Sequence, residues 1–154
     1  MGQLGPMVDD FTRLIPELPK WNDGAGIEPQ AWIECVGNYE LATGYSLIFW
    51  PEFVRFERYV LRAGFSVESL RGFEDMTKGN RVAVEAVMNH VHISDIHCNV
   101  EPTEPQLRYL GRVLKQIYET KLRCDFPDTS FEVSFNDEPG LYPEDYELTF
   151  WQTE

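Results

Sequence analysis

The chain has 154 residues, a formal charge of −13 from 26 acidic and 13 basic side chains, and an apolar share of 43% with 14% aromatics. That length suits one domain with its own core, and so many aromatics argue against a disordered chain. The acid excess argues against nucleic acid and anionic membrane surfaces as partners and favours a basic protein.

The N-terminal stretch "MGQLGPMVDDFTRLIPELPK" has no basic head followed by an apolar run, and no transmembrane-length apolar segment follows it, so a cytoplasmic protein is expected. Cys35, Cys98 and Cys124 are odd in number and scattered, giving neither a disulfide framework nor a paired-cysteine zinc motif. They are expected to be reduced and mostly buried.

Residues 1–28, rich in Gly and Pro, read as an irregular lead-in with one short helical candidate at Asp9–Ile15, and residues 29–154 as a single α+β domain. Trp32, Cys35, Val36, Tyr39, Ala42 and Thr43 recur at helical spacing between Pro29 and Pro51, predicting a helix over about 30–46. "FVRFERYVLR", 53–62, is dense in β-branched and aromatic residues with mixed alternation, which predicts a strand covered on both faces.

Val67, Leu70 and Phe73 follow a possible Ser66 cap and predict a short helix. Asn80 caps a further helical pattern whose apolar face is Ala83, Val84, Val87, Met88 and Val91. Thr103 and Gln106 match a capping box; Leu107, Leu110, Leu114, Ile117 and Leu122 form the stripe that follows. In the tail, Phe131, Val133 and Phe135 share one strand face, and Tyr146, Leu148 and Phe150 share another, with Pro139, Gly140 and Pro143 in the turn between. Helices grouped apart from such a hairpin predict an α+β fold: three to four helices on a small, mainly antiparallel sheet of about three strands, ending in a C-terminal hairpin.

Two regions carry candidate chemistry. "MNHVHISDIH" holds all three histidines, and His90, His92, Asp95 and His97 are the candidate ligands for zinc or another divalent metal in a hydrolase. A continuous helix scatters them, since residues two apart diverge by about 160°, and a strand turns Asp95 and His97 away from His90 and His92. They meet only if the helix stops near Asn89 and the chain folds back. The motif lacks the second His of a zinc-protease signature, and the plainer expectation is that these imidazoles cap or pack a helix end, with no cofactor.

The tail is the second region. Arg123 is the last base, and the acids beyond it are Asp125, Asp128, Glu132, Asp137, Glu138, Glu144, Asp145, Glu147 and Glu154. Carboxylates beside aromatics suit a basic protein partner, the rings supplying buried area and the charges steering. Glu132, Asp137, Glu138, Tyr142, Glu144, Asp145, Glu147 and Trp151 are therefore the candidate partner-binding residues, against the alternative of a solvated face that keeps the protein soluble. A non-enzymatic module of the bacterial immunity or inhibitor kind, neutralising a basic nuclease-type toxin, would use these properties.

Overall fold

The computed structural model describes residues 10–154, in two units that divide between Tyr45 and Ser46. In the first, Asp10 caps a single helical turn, α1 (Phe11–Leu14), accepting from the Thr12 amide at 3.0 Å. Asp9, where this helix was expected to begin, lies outside the described residues. Beyond it the chain closes on itself through Gly26 N–H to the Trp21 carbonyl at 2.9 Å and Ile27 N–H to Leu18 at 3.1 Å. Trp32, on α2 (Pro29–Val36), donates its indole N–H to Glu17 at 2.6 Å.

The helix expected over 30–46 is two helices, α2 and α3 (Tyr39–Phe49). Gly37 is extended (φ −80°, ψ 175°), and a Cβ there would stand 2.8 Å from the Ile33 carbonyl oxygen, so the break needs glycine. Asn38 then restarts the helix by accepting from the Leu41 amide at 2.8 Å. Helical spacing did not translate into burial. Neither helix has a buried residue, and Tyr39 is 90% exposed.

In the second unit the expected strand over 53–62 is a hairpin, β1 (Phe53–Phe56) paired with β2 (Tyr59–Arg62), Val54 opposite Leu61 and Phe56 opposite Tyr59. Its turn, Glu57–Arg58, contains no Gly, Asn or Pro. Glu57 takes φ 55°, and its carboxylate is gripped by Arg71 of α4 (Val67–Thr77) at 2.5 Å. Tyr59, Val60 and Leu61 are all fully buried because β2 is covered on both faces, the condition expected for the whole segment.

Capping is local. Ser66 accepts from the Ser69 amide at 3.2 Å to start α4, and Asn80 from Ala83 at 3.1 Å to start α5 (Arg81–Met88). Thr103 and Gln106 complete a reciprocal capping box at 3.3 and 3.0 Å ahead of α6 (Glu104–Asp125). The expected tail strands are β4 (Phe131–Phe135) and β5 (Glu147–Gln152), antiparallel, with Val133 opposite Phe150 and Phe135 opposite Leu148. A two-residue strand, β3 (Val91–His92), pairs with the other edge of β5, giving the order β3-β5-β4. The fold is α+β, as expected, with two small antiparallel sheets.

Packing follows the strand faces. α6 lies on β4 and β5, and Leu107, Leu114, Tyr118 and Leu122 meet Val133, Leu148 and Phe150 in the main core. Phe53 joins them edge-on, its ring 5.0 Å from Phe150 and 5.1 Å from Tyr118. The buried stripe of α6 runs through Gly111 and Tyr118; Leu110 and Ile117, placed on the stripe by spacing, are only partly buried. The Phe135 ring sits where a Gly111 Cβ would be. A smaller cluster of Tyr59, Leu61, Leu70 and Val84 fills the space between the hairpin and helices α4 and α5.

Two buried polar residues, Glu85 of α5 and its C-cap Asn89, join the sheets. Glu85 accepts from the Val60 amide (2.8 Å) in β2, and from the Gln152 amide (3.0 Å) and side chain (2.7 Å) in β5. One turn on, Asn89 accepts from the Arg62 amide at 3.1 Å and donates to the carbonyls of Val60 at 3.0 Å and Phe150 at 3.3 Å. The two strands share no ladder, and these side chains take its place. Nothing in the periodicity of α5 singles out Glu85, whose neighbours suggest a solvated position.

No cysteine is where burial preferences put it: Cys35, Cys98 and Cys124 are all exposed and unbonded. Cys35 rides on a helix that buries nothing, Cys98 lies in irregular chain, and Cys124 is in the last turn of α6, where position outweighs residue type. Among the described residues no helix is long and apolar enough to cross a membrane.

Glu85→Ala strands donors of both sheets in the interior and should lower the unfolding free energy by about 3 kcal/mol or more, against less than about 0.5 for Glu40→Ala on exposed α3. Urea denaturation of the two variants checks this, and equal small losses would dissolve the bridge. Gly111→Ala gives an opposite sign to helix propensity: alanine alone should stabilise by up to about 1 kcal/mol, whereas the collision with Phe135 should destabilise by about 1–3 kcal/mol. The shift in thermal midpoint decides between them.

Candidate functional site

The histidine segment depends on where α5 ends. It ends at Met88, and the cap residue Asn89 turns inward to the sheets, so Val91, expected on the helix, starts β3 instead. His90 then folds back on the helix end, its Nδ1–H donating to the Val87 carbonyl at 2.6 Å. His92 Nδ1–H donates to the Glu144 carbonyl at 2.8 Å, with the Glu147 carboxylate 3.4 Å away. The two rings meet edge to face, 5.0 Å between centroids. Asp95 closes a short helical turn, Ile93–Asp95, and His97 follows in irregular chain.

Thus the chain does fold back, and the Nδ1 atoms of His90 and His92 are bonded to backbone carbonyls. Among the described residues no group of three or more His, Cys, Asp or Glu is arranged to hold a metal ion. His90 serves as a helix-end cap and His92 as a clasp between β3 and the tail loop.

That clasp brings together the two regions that were separate in sequence. The loop 136–146 joins β4 to β5 and is held along its length. Asn136 donates to the Asp145 carbonyl at 2.9 Å, Tyr146 O–H to the Glu138 carbonyl at 2.7 Å, and the Gly140 amide to Glu104 at 3.3 Å. Asp137 is gripped by Arg108 at 2.8 Å and Arg112 at 3.4 Å from α6. The carboxylate bonded to Arg108 holds that guanidinium's pKa above its ordinary value.

The candidate partner-binding residues therefore divide. Glu138, Tyr142, Glu144 and Asp145 are exposed on the loop, and none of the three carboxylates has an ion-pair partner among the described residues. Asp137 is a clamp, its charge met within the chain. Glu147 leans toward His92, while Glu132 is exposed opposite half-buried Trp151. Between these, Thr149 donates to the Ala86 carbonyl at 2.6 Å, so α5 covers the middle of the sheet face opposite the core. Among the described residues, the exposed candidate carboxylates without an ion-pair partner are Glu138, Glu144 and Asp145 on the loop and Glu132 on β4. Arg108 and Arg112, which set this division, lie among the polar positions beside the apolar stripe of α6. Their partner is on another element, and no local spacing marks it.

The chain matches no protein-family model, no curated protein and no solved structure.

Asp137→Asn removes the carboxylate that both arginines share. Exposed pairs of this kind contribute little and weaken with salt. The variant should lose stability at low salt and match the parent at molar salt in urea titrations; an equal loss at both would mean that the clamp is not ionic.

Proposed function

We propose that the chain is a cytoplasmic, non-enzymatic protein-binding module that docks a basic protein partner on the acidic loop 136–146. The observation that carries this reading is Tyr142, 74% exposed beside Glu138, Glu144 and Asp145 on a loop whose backbone is already hydrogen-bonded. An exposed tyrosine offers contact area at low entropic cost, and unpaired carboxylates around it accelerate and orient encounter with a cation. A held loop loses little further freedom on binding, which leaves more of the interaction as affinity. The net charge adds long-range attraction, reaching about 8 Å at physiological salt.

These are the requirements met by a bacterial immunity or inhibitor protein that covers the phosphate-binding groove of a basic nuclease-type toxin, and we propose that class of partner. Placing carboxylates where a toxin binds phosphate blocks the groove by charge as well as by bulk.

The test is capture from a lysate of the native host, with wild-type protein, the Glu144→Lys/Asp145→Lys variant and His90→Ala as baits. Wild type and His90→Ala should both retain one basic protein that elutes with salt, and the charge-reversed bait should bind it at least about tenfold more weakly. Recovery that is indifferent to charge reversal would remove the loop from the interface.

A further inference from the structure

A second feature of the larger unit adjoins the acidic loop at His92, which lines it and whose Nδ1–H reaches the Glu144 carbonyl at 2.8 Å. The end of α3, Pro51, β2, the histidine segment and α6 enclose a groove of about 390 Å³. That volume is within the range of small-molecule sites, which are mostly apolar with a few placed polar groups. Leu47, Ile48, Ile93, Ile96 and Leu114 supply the apolar wall. Arg62 and Tyr118 supply the polar part.

Arg62 ends β2, and its backbone is fixed by Asn89 at 3.1 Å. Its Nε is buried with no hydrogen-bond partner, and no carboxylate lies within ion-pair distance of its guanidinium among the described residues. The other strongly held arginines differ: Arg71 grips Glu57 and Glu74, and Arg108 grips Asp137. A buried donor without a partner is rare in folded proteins. A planar carboxylate is the group that a guanidinium fork matches in shape and charge.

Tyr118, 2% exposed, sets its phenol against Arg62. Burial pushes the phenol's pKa up, so its proton is retained at neutral pH. Asp95 is the one carboxylate on the wall, and it is exposed at the rim; His90 and His92 complete the polar edge.

We propose that this groove binds a small aliphatic carboxylic acid, its carboxylate on the Arg62 guanidinium and Tyr118 hydroxyl, and its hydrocarbon chain against Leu47, Ile48, Ile93, Ile96 and Leu114. A bare phosphate would set its remaining oxygens against leucine and isoleucine, whereas an aliphatic acid puts hydrocarbon there. The chain's overall negative charge acts against any anion at long range, but salt screens that field beyond about a Debye length, and contact with Arg62 decides.

Titration calorimetry and methyl NMR with three probes, hexanoate, hexanol and inorganic phosphate, test the proposal. Hexanoate should bind saturably and shift the Ile48, Ile93 and Leu114 methyl resonances, with the alcohol and phosphate each at least about tenfold weaker. Arg62→Gln should weaken hexanoate by a similar factor, and Tyr118→Phe, which keeps the ring in the core, should weaken it severalfold while leaving the unliganded methyl spectrum unchanged. Hexanol or phosphate binding as well as hexanoate, or no shift with millimolar hexanoate, would overturn the proposal on the wild-type protein alone. Unchanged hexanoate affinity in Arg62→Gln would overturn it as well.

Discussion

Glu85 and Asn89 hold two sheets together from a single helix. Each small sheet has one face on apolar packing, but β2 and β5 lie near each other without a shared ladder, and their inward backbone groups need partners. Buried backbone groups without partners are costly, so the interior position of α5 carries a carboxylate and an amide in place of two more apolar residues. The main core and the smaller cluster around Tyr59 both rest on this arrangement, since Val60 and Leu61 face opposite ways from the strand that Glu85 anchors. The histidine segment depends on it too. Asn89 is both the end of α5 and part of the bridge, and its commitment to the sheets is what sends His90 back over the helix and Val91 into β3.

What could be read from the sequence is what is decided locally. Ser66, Asn80 and Thr103 cap their helices through atoms three residues away, and a cap with its acceptor and donor in one short stretch is visible there. The alternation of Phe131, Val133 and Phe135 was visible for the same reason: one face of β4 meets α6 all along. The break at Gly37 and Asn38 is also local, but helical spacing on either side hid it, because the two helices happen to continue one another's period. The Glu57–Arg58 turn was hidden because its conformation is sustained by Arg71, fourteen residues away, and not by a turn-forming residue.

The candidate sites show the same division. The acidity of the tail was plain, yet which carboxylates remain available depended on Arg108 and Arg112 reaching Asp137 from α6. Crowded histidines suggested a ligand set, and spacing could not show that the Nδ1 atoms of His90 and His92 meet the backbone carbonyls of Val87 and Glu144. Arg62 gave no signal at all in the sequence, since a lone arginine ending a strand is ordinary. Its interest lies in a buried Nε without a hydrogen-bond partner, a property of three-dimensional surroundings only.

The placement of β5 has a further consequence for how the molecule comes into being. It is the central strand of its sheet, and it is also the last of the strands in chain order. A growing chain therefore emerges with β3, α5, α6 and β4 already made and with their common template still missing. Glu85 waits 67 residues for Gln152, and Asn89 waits 61 for the Phe150 carbonyl. Until those residues are made, Glu85 and Asn89 lack their partners in β5, so the native core cannot close before β5 is present.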